Sequence, residues 1–192
     1  DGGNEHPTQA LLDVLTMHQE LNKEVDTDGL DHLNITMVGD LKYGRTVHSL
    51  SNLLFNYKNI TFNLISPPSL QMPAHIMDSM DKSSSTYCVD NSYHPYLPHT
   101  HVLYMTRIQK ERFDTPEEYH AVKHSYQLTL QDLTQAHPNL IIMHPLPRVT
   151  EISPEVDTHP AAKYFAQAKY GMFMRMSLLH HVSEPLPYSC LG

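Results

Sequence analysis

Met37-Val38-Gly39-Asp40-Leu41-Lys42-Tyr43-Gly44-Arg45-Thr46 is the stretch whose reading decides the fold. An apolar run from Ile35 to Val38 enters a turn bracketed by two glycines, and helical spacing then begins at Arg45. Val47, Leu50, Leu53, Leu54 and Tyr57 line one face of that helix, as the 3.6-residue period requires. Strand, turn and helix in this order form the repeating unit of a parallel sheet. Four more strands are expected around it: Ile60 to Ile65, Thr86 to Val89, His101 to Met105 and Leu140 to Met143. The unbroken apolar character of the last suits a strand covered on both faces.

Helices fill the intervals. Pro7, favourable as a first helical residue, opens a helix to about Asn22 with Leu11, Val14, Leu15, His18 and Leu21 on one side. Pro73 starts a short helix with Ile76, Met77 and Met80 inward. Thr115-Pro116-Glu117-Glu118 is a capping box, and Thr129 with Asp132 predicts a capped helix to Ala136. Pro160 to His181 reads as a long helix with Ala161, Phe165, Ala168, Met172, Met176, Leu179 and Val182 on one side; Ser183 to Gly192 reads as a tail. The expected fold is therefore α/β: a three-layer, doubly wound, mainly parallel five-stranded sheet, Rossmann-like, ending in a long C-terminal helix.

Composition narrows the function. A net charge of −8 over 192 residues, with no basic stripe, argues against nucleic acid as the main partner. The longest wholly apolar run, Leu140 to Met143, is far too short to span a membrane. Cys88 and Cys190 form no metal or redox pattern, so a reducing compartment, the cytoplasm, is expected. Cys88 reads as a small buried hydrophobe. No Gly-x-Ser-x-Gly occurs, which removes one hydrolase class. His94, His99 and His101, and the pair His180 and His181, lack the supporting ligands of a zinc site, so no metal is expected. The ten methionines read as core filling. The chain begins at Asp1 without a methionine and reaches a motif by His6, as a fragment cut just before a helix would.

Three other stretches share the logic of the first by placing polar groups at the end of an element. His6 and Gln9 stand at the mouth of the Pro7 helix, where unpaired N–H groups and the dipole favour negative charge. They could donate to a carbonyl oxygen gaining charge, or simply cap the helix. Arg45 follows Gly44 and offers a planar fork for a carboxylate, or a surface ion pair. Gly39 and Gly44 lack the triplet of a dinucleotide fingerprint. Arg107 and Gln109 follow the fourth strand within a charged run that also suits a solvated loop. His144-Pro145-Leu146-Pro147 closes the fifth strand, and its stiff backbone leaves carbonyls outside any ladder.

Together these stretches resemble aspartate carbamoyltransferase. The matching text is His6-Pro7-Thr8-Gln9-Ala10-Leu11-Leu12-Asp13, Val38 to Leu50, Met105-Thr106-Arg107-Ile108-Gln109-Lys110-Glu111-Arg112, and Met143 to Ile152. Tyr164-Phe165 and Gly171 to Met176 in the last helix also fit. The resemblance runs over about residues 1–182, in the family's order and spacing. The related ornithine enzyme typically carries a cysteine after the histidine of the last stretch, and a Ser-Met-Gly loop; here Pro145 and Leu146 follow His144, and no Ser-Met-Gly occurs.

The resemblance implies transfer of a carbamoyl group from carbamoyl phosphate to the amine of L-aspartate, in pyrimidine synthesis and without a cofactor. His6 is then the catalytic donor to the carbamoyl oxygen, while Gln9 and the carbonyls of Pro145 and Leu146 hold the carbamoyl amine. Arg45 and Arg107 clamp the aspartate carboxylates and Gln109 assists; beside the resemblance, Glu111 is expected to orient Arg107. Residues 1–182 correspond to the aspartate-binding half of a homotrimer whose active sites are shared between subunits. The N-terminal carbamoyl-phosphate half, with its Ser-x-Arg-Thr loop and its lysine loop, is not in this sequence. The long last helix normally packs on that half. Two other readings stay open: a non-catalytic dicarboxylate-binding module, and an ornithine-type enzyme.

Overall fold

The computed structural model describes residues 5–21, 28–108, 113, 115–122 and 126–183. The strands are β1 (Asn34–Val38), β2 (Thr61–Ile65), β3 (Thr86–Asp90), β4 (Val102–Met105) and β5 (Ile141–Met143). All pair in parallel, in the order β3-β2-β1-β4-β5. The chain thus builds outward from β1 in one direction, returns, and builds outward in the other. That reversal, between β1 and β4, opens a crevice at the carboxyl edge of a doubly wound sheet. Val38 pairs with Met105 at that edge, so the turns leaving β1 and β4 emerge side by side.

Alternation along the strands divides the core in two. Ile35, Met37, Phe62, Leu64, Val102, Tyr104, Ile141 and Met143 face one way, with α1 (Pro7–Glu20), α2 (Arg45–Leu54) and α3 (Ala74–Lys82) supplying Met17, Val47, Leu50, Leu54, Ile76 and Met80. Val38, Ile65, Leu103, Met105 and Ile142 face the other way. Much of the cover on that second face comes from short 3-10 segments, His94–His99, Asp132–Gln135 and Pro154–Thr158, through Leu97, Leu133 and Val156. A polar ladder crosses this face as well. Asn63 donates to Asn34 and Thr36, Thr36 pairs with Thr100, and the Cys88 thiol donates to Asn63 Oδ1 at 3.3 Å. Cys88 is half-buried and hydrogen-bonded rather than a plain core hydrophobe.

Two helices differ from expectation. The predicted helix from Thr129 to Ala136 is a 3-10 turn of four residues. Leu128 bridges to Ile152 in extended conformation, and Asp132 is spent on the Thr129 N–H and hydroxyl, Tyr93 and His94. Little more than a turn remains before Pro138. The last helix, α5 (Tyr164–Ser183), begins four residues later than Pro160, because Ala162 pairs with Ile142 beside β5. Its apolar stripe then lies open: Phe165, Met172, Met176, Leu179 and Val182 are all more than half exposed. One bond of the capping box forms, Glu118 N–H donating to Thr115 Oγ1, at the head of α4 (Pro116–Val122). The Gln109 and Glu111 positions and the tail beyond Ser183 lie outside the described residues. No helix among the described residues is long and apolar enough to cross a membrane.

Gly39 carries φ +119 where the chain leaves β1, a conformation that L side chains rarely adopt. A Cβ there would meet Thr106 O and Thr106 Oγ1, both at 2.5 Å. Gly39→Ala combines a strained backbone with a clash against main chain, and should cost about 2 kcal/mol or more. Urea denaturation tests this, and an unchanged midpoint would refute the assignment.

Candidate active site

Thr106 fastens the two turns at the crevice. Its N–H and hydroxyl both donate to Val38 O, at 2.8 and 2.9 Å, and its oxygen accepts the Asp40 N–H at 3.0 Å. Gly39 N–H donates to Ile65 O on the other side. Asp40 is buried and its Oδ1 accepts the Tyr43 N–H, which closes the turn that Gly44 completes. His48 donates to Leu41 O at 2.8 Å from the first turns of α2. Arg45 is thereby delivered to the head of α2 on one side of the reversal, while Arg107 leaves β4 on the other.

The Pro7 helix arrives from a third direction. The His6 N–H donates to Ser49 Oγ at 2.8 Å, so the mouth of α1 is moored on α2. The loop after β5 is fixed from within. His144 Nδ1 accepts the Leu146 N–H at 2.8 Å, so its proton sits on Nε2, which donates to Glu151 Oε1 at 2.7 Å. The other oxygen of Glu151 accepts the Val149 and Thr150 N–H groups. Burial disfavours the Glu151 charge, but these bonds outweigh it and hold the carboxyl below its usual range. The clasp keeps Leu146 at φ +48, ahead of a cis Leu146–Pro147 bond.

These turns enclose one cleft of about 240 Å³, lined by His6, Gln9, Asp40, Tyr43, Gly44, Arg45, Thr46, Thr106, Arg107 and His144 to Pro147. Six of the eight residues singled out from sequence, His6, Gln9, Arg45, Arg107, Pro145 and Leu146, meet there. A smaller hollow of about 170 Å³ adjoins it, with Gln9, Gln167 and Arg175 in its wall. A larger cavity of about 730 Å³ lies at the opposite edge of the sheet, by His101, His137 and His159, and contains none of the predicted residues. Among the described residues no group of three histidine, cysteine or acidic side chains is placed to hold a metal ion.

Burial first, then the positive charges of Arg45 and Arg175, lower the His6 pKa. Near neutral pH the imidazole is therefore uncharged: one nitrogen donates and the other accepts. A neutral donor beside two arginines suits an oxygen that becomes negative during reaction and is less so before it. Thr106, Asp40, Asp13, Tyr104 and Gln167 were given no role from sequence. Asp13 offered one hint, a carboxylate four residues after Gln9 on the same helical face. Its carboxyl is fully buried and pushed up to about 7 by that burial, against the opposing bonds from Tyr104, Gln167 and Gln9 and the charge of Arg175.

Residues 31–182 match the family model for the aspartate/ornithine carbamoyltransferase Asp/Orn-binding domain. The chain is 51% identical to the multifunctional protein pyr1-3 of Dictyostelium discoideum over 179 residues, covering 93% of this chain and 8% of that protein. It is 47% identical to the aspartate carbamoyltransferase catalytic subunit of Alkaliphilus metalliredigens over 180 residues, covering 93% and 56%. Among solved structures it superposes with TM-score 0.80 and 38% identity on Trypanosoma cruzi aspartate transcarbamoylase in complex with carbamoyl phosphate and aspartate, covering 93% and 55%. The chain thus spans just over half the length of that catalytic subunit.

Because Arg45 contributes to the depression of the His6 pKa, Arg45→Gln should raise the His6 midpoint. Burial and Arg175 remain, so the rise should stop short of the ordinary value. An NMR titration of the imidazole C–H resonances reads this directly. A midpoint that stayed put or fell would contradict the arrangement.

Proposed function

The chain belongs to the aspartate/ornithine carbamoyltransferase family, and we propose that it supplies the aspartate-binding domain of an aspartate carbamoyltransferase. Residues 1–182 are the part of the chain assigned to that domain. The reaction moves the carbamoyl group of carbamoyl phosphate to the amine of L-aspartate, in cytoplasmic pyrimidine synthesis. The observation that carries this reading is the meeting of four separate sequence stretches at one cleft on the strand reversal, with an arginine from each side of it.

Each group has a task in that reaction. Arg45 and Arg107 take the two carboxylates of aspartate, which orients its amine toward the carbamoyl carbon. A C–N bond forms, the carbonyl oxygen becomes an oxyanion, and neutral His6 donates to it. The C–O bond to phosphate then breaks, and the amine proton leaves with the phosphate. Gln9 and the carbonyls of Pro145 and Leu146 hold the carbamoyl amine throughout. Gln109 keeps the assisting role that the resemblance gives it, and Glu111 is proposed to orient Arg107.

The enzyme further requires a carbamoyl-phosphate-binding half, and works as a trimer whose sites are shared between subunits. One observation supports a companion surface: the apolar stripe of α5 is uncovered, with Leu179 at 73% exposure, the mark of an interaction surface. Two arginines also suit a dicarboxylic amino acid better than cationic ornithine.

The test measures phosphate release from carbamoyl phosphate and aspartate, with this chain alone and joined to the carbamoyl-phosphate-binding half. Release in the joined form is expected. In that form Arg107→Gln should raise the aspartate half-saturation concentration about 10- to 100-fold, the weight of lost charge-assisted hydrogen bonds. Aspartate binding without phosphate release in either arm would favour a dicarboxylate-binding module instead.

A further inference from the structure

The side chain of Gln9 is a planar amide with two unlike ends, and its chemistry toward a ligand depends on which end is presented. Presenting oxygen, it accepts from an N–H; presenting nitrogen, it donates to a carbonyl. The surroundings decide between them. Gln9 Nε2 donates to Asp13 Oδ1 at 2.8 Å, within a fully buried cluster. The same Oδ1 accepts Gln167 Nε2 at 2.7 Å, and Asp13 Oδ2 accepts the Tyr104 hydroxyl at 2.7 Å. Gln167 in turn uses its Oε1 to accept the His144 N–H at 2.9 Å, at the root of the loop bearing Pro145 and Leu146.

From this geometry we infer that Asp13 is a positioning residue that makes the cleft select an N–H-bearing carbamoyl group over an acyl group of the same shape. The inference rests on the reading of Gln9 as a contact to the carbamoyl amine. Turning the Gln9 amide over would set its oxygen against Asp13 Oδ1, two buried acceptors with no proton between them, a strongly disfavoured contact. Its oxygen is therefore the end left for the cleft. The orientation survives protonation of the carboxyl, because a proton on Oδ2 leaves Oδ1 free to accept. Through Gln167 the same oxygen also sets the loop whose Pro145 and Leu146 carbonyls face the same amine. One carboxylate oxygen thus governs three acceptors reached from two separate elements.

Acetyl phosphate, which carries a methyl where carbamoyl phosphate carries its amine, is the discriminating probe. In the enzyme joined to its carbamoyl-phosphate-binding half, the reading is the inhibition constant of acetyl phosphate divided by the KM of carbamoyl phosphate. Asp13→Leu frees the Gln9 amide and should lower that ratio about three- to tenfold, the weight of one hydrogen bond. Asp13→Asn keeps an accepting Oδ1 and turns its nitrogen to the Tyr104 oxygen, so it should retain the ratio. A merely structural role would weaken both ligands alike, and an unchanged ratio in Asp13→Leu overturns the inference, as does a ratio that falls equally in Asp13→Asn. Should Asp13→Leu fail to fold, hydrogen exchange of the Gln9 side-chain amide in this chain decides instead. One protected Nε2 proton is expected in the native chain and in Asp13→Asn, and rapid exchange of both protons in the native chain refutes the orientation. This second measurement needs no turnover, so an inactive joined enzyme would defeat the carbamoyl-transfer reading without touching it.

Discussion

The cleft depends first on the hydrogen bonds by which Thr106 ties the end of β1 to the end of β4. Parallel pairing continues only as far as Val38 and Met105; beyond them the chains part at the reversal of strand order. Where they part, backbone groups lose ladder partners. Unmet in a buried place, each would cost about 1 to 3 kcal/mol. Thr106 meets three of these needs with one residue, accepting from Asp40 N–H and donating twice to Val38 O. Only glycine fits opposite it, so Gly39 is dictated by Thr106 as much as by the turn. The crevice is a defect in the sheet that has been made rigid.

Rigidity matters because none of the groups in the cleft is chemically unusual. There is a neutral imidazole, an amide, two guanidinium groups and some backbone carbonyls. Such a set gains power from being held where charge develops, with no rearrangement needed at that moment. The support is buried and hydrogen-bonded through a carboxyl group on both sides. Asp13 lies behind Gln9, and the His144–Glu151 pair lies behind Leu146, each with its hydrogen-bonding capacity largely used. Buried carboxyl groups of this kind are poor contributors to stability. Their value here lies in removing alternative orientations from the side chains and carbonyls they touch.

The division between what could and could not be read from sequence follows from this. Strand alternation and helical spacing are local, and they carried the five strands, α1, α2 and α3. The order β3-β2-β1-β4-β5 is not local; the strand lengths alone fit other orders. The predicted helix at Thr129–Ala136 failed because Asp132, a sound cap on paper, is drawn off by Tyr93 and His94 some 40 residues earlier. The start of α5 was misplaced because Ala162 joins the strand edge, a tertiary pairing that overrides a helical pattern. Of the cleft, the motifs pointed to residues that line it. Those behind them, Asp13, Tyr104 and Gln167, are ordinary letters in amphipathic elements and acquire meaning only when 91 or 154 residues of separation collapse to a hydrogen bond.

The electrostatics of the cleft then resolve an apparent contradiction. A protein of net charge −8 is a poor long-range attractor of anions, and exposed charges more than about 10 Å away are largely screened at ordinary salt. What an anionic ligand feels at close range is Arg45, Arg107 and the N-terminal ends of α1 and α2, while Asp40 is turned into its own loop by the Tyr43 N–H. Burial and the arginines together keep His6 from charging, so the cleft does not hold a third cation against its ground state. A protonated His6 would bind any dianion more tightly before and after reaction alike, which raises affinity without raising rate. In the proposed reaction, a neutral imidazole would keep its hydrogen bond for the moment when negative charge develops on the carbamoyl oxygen.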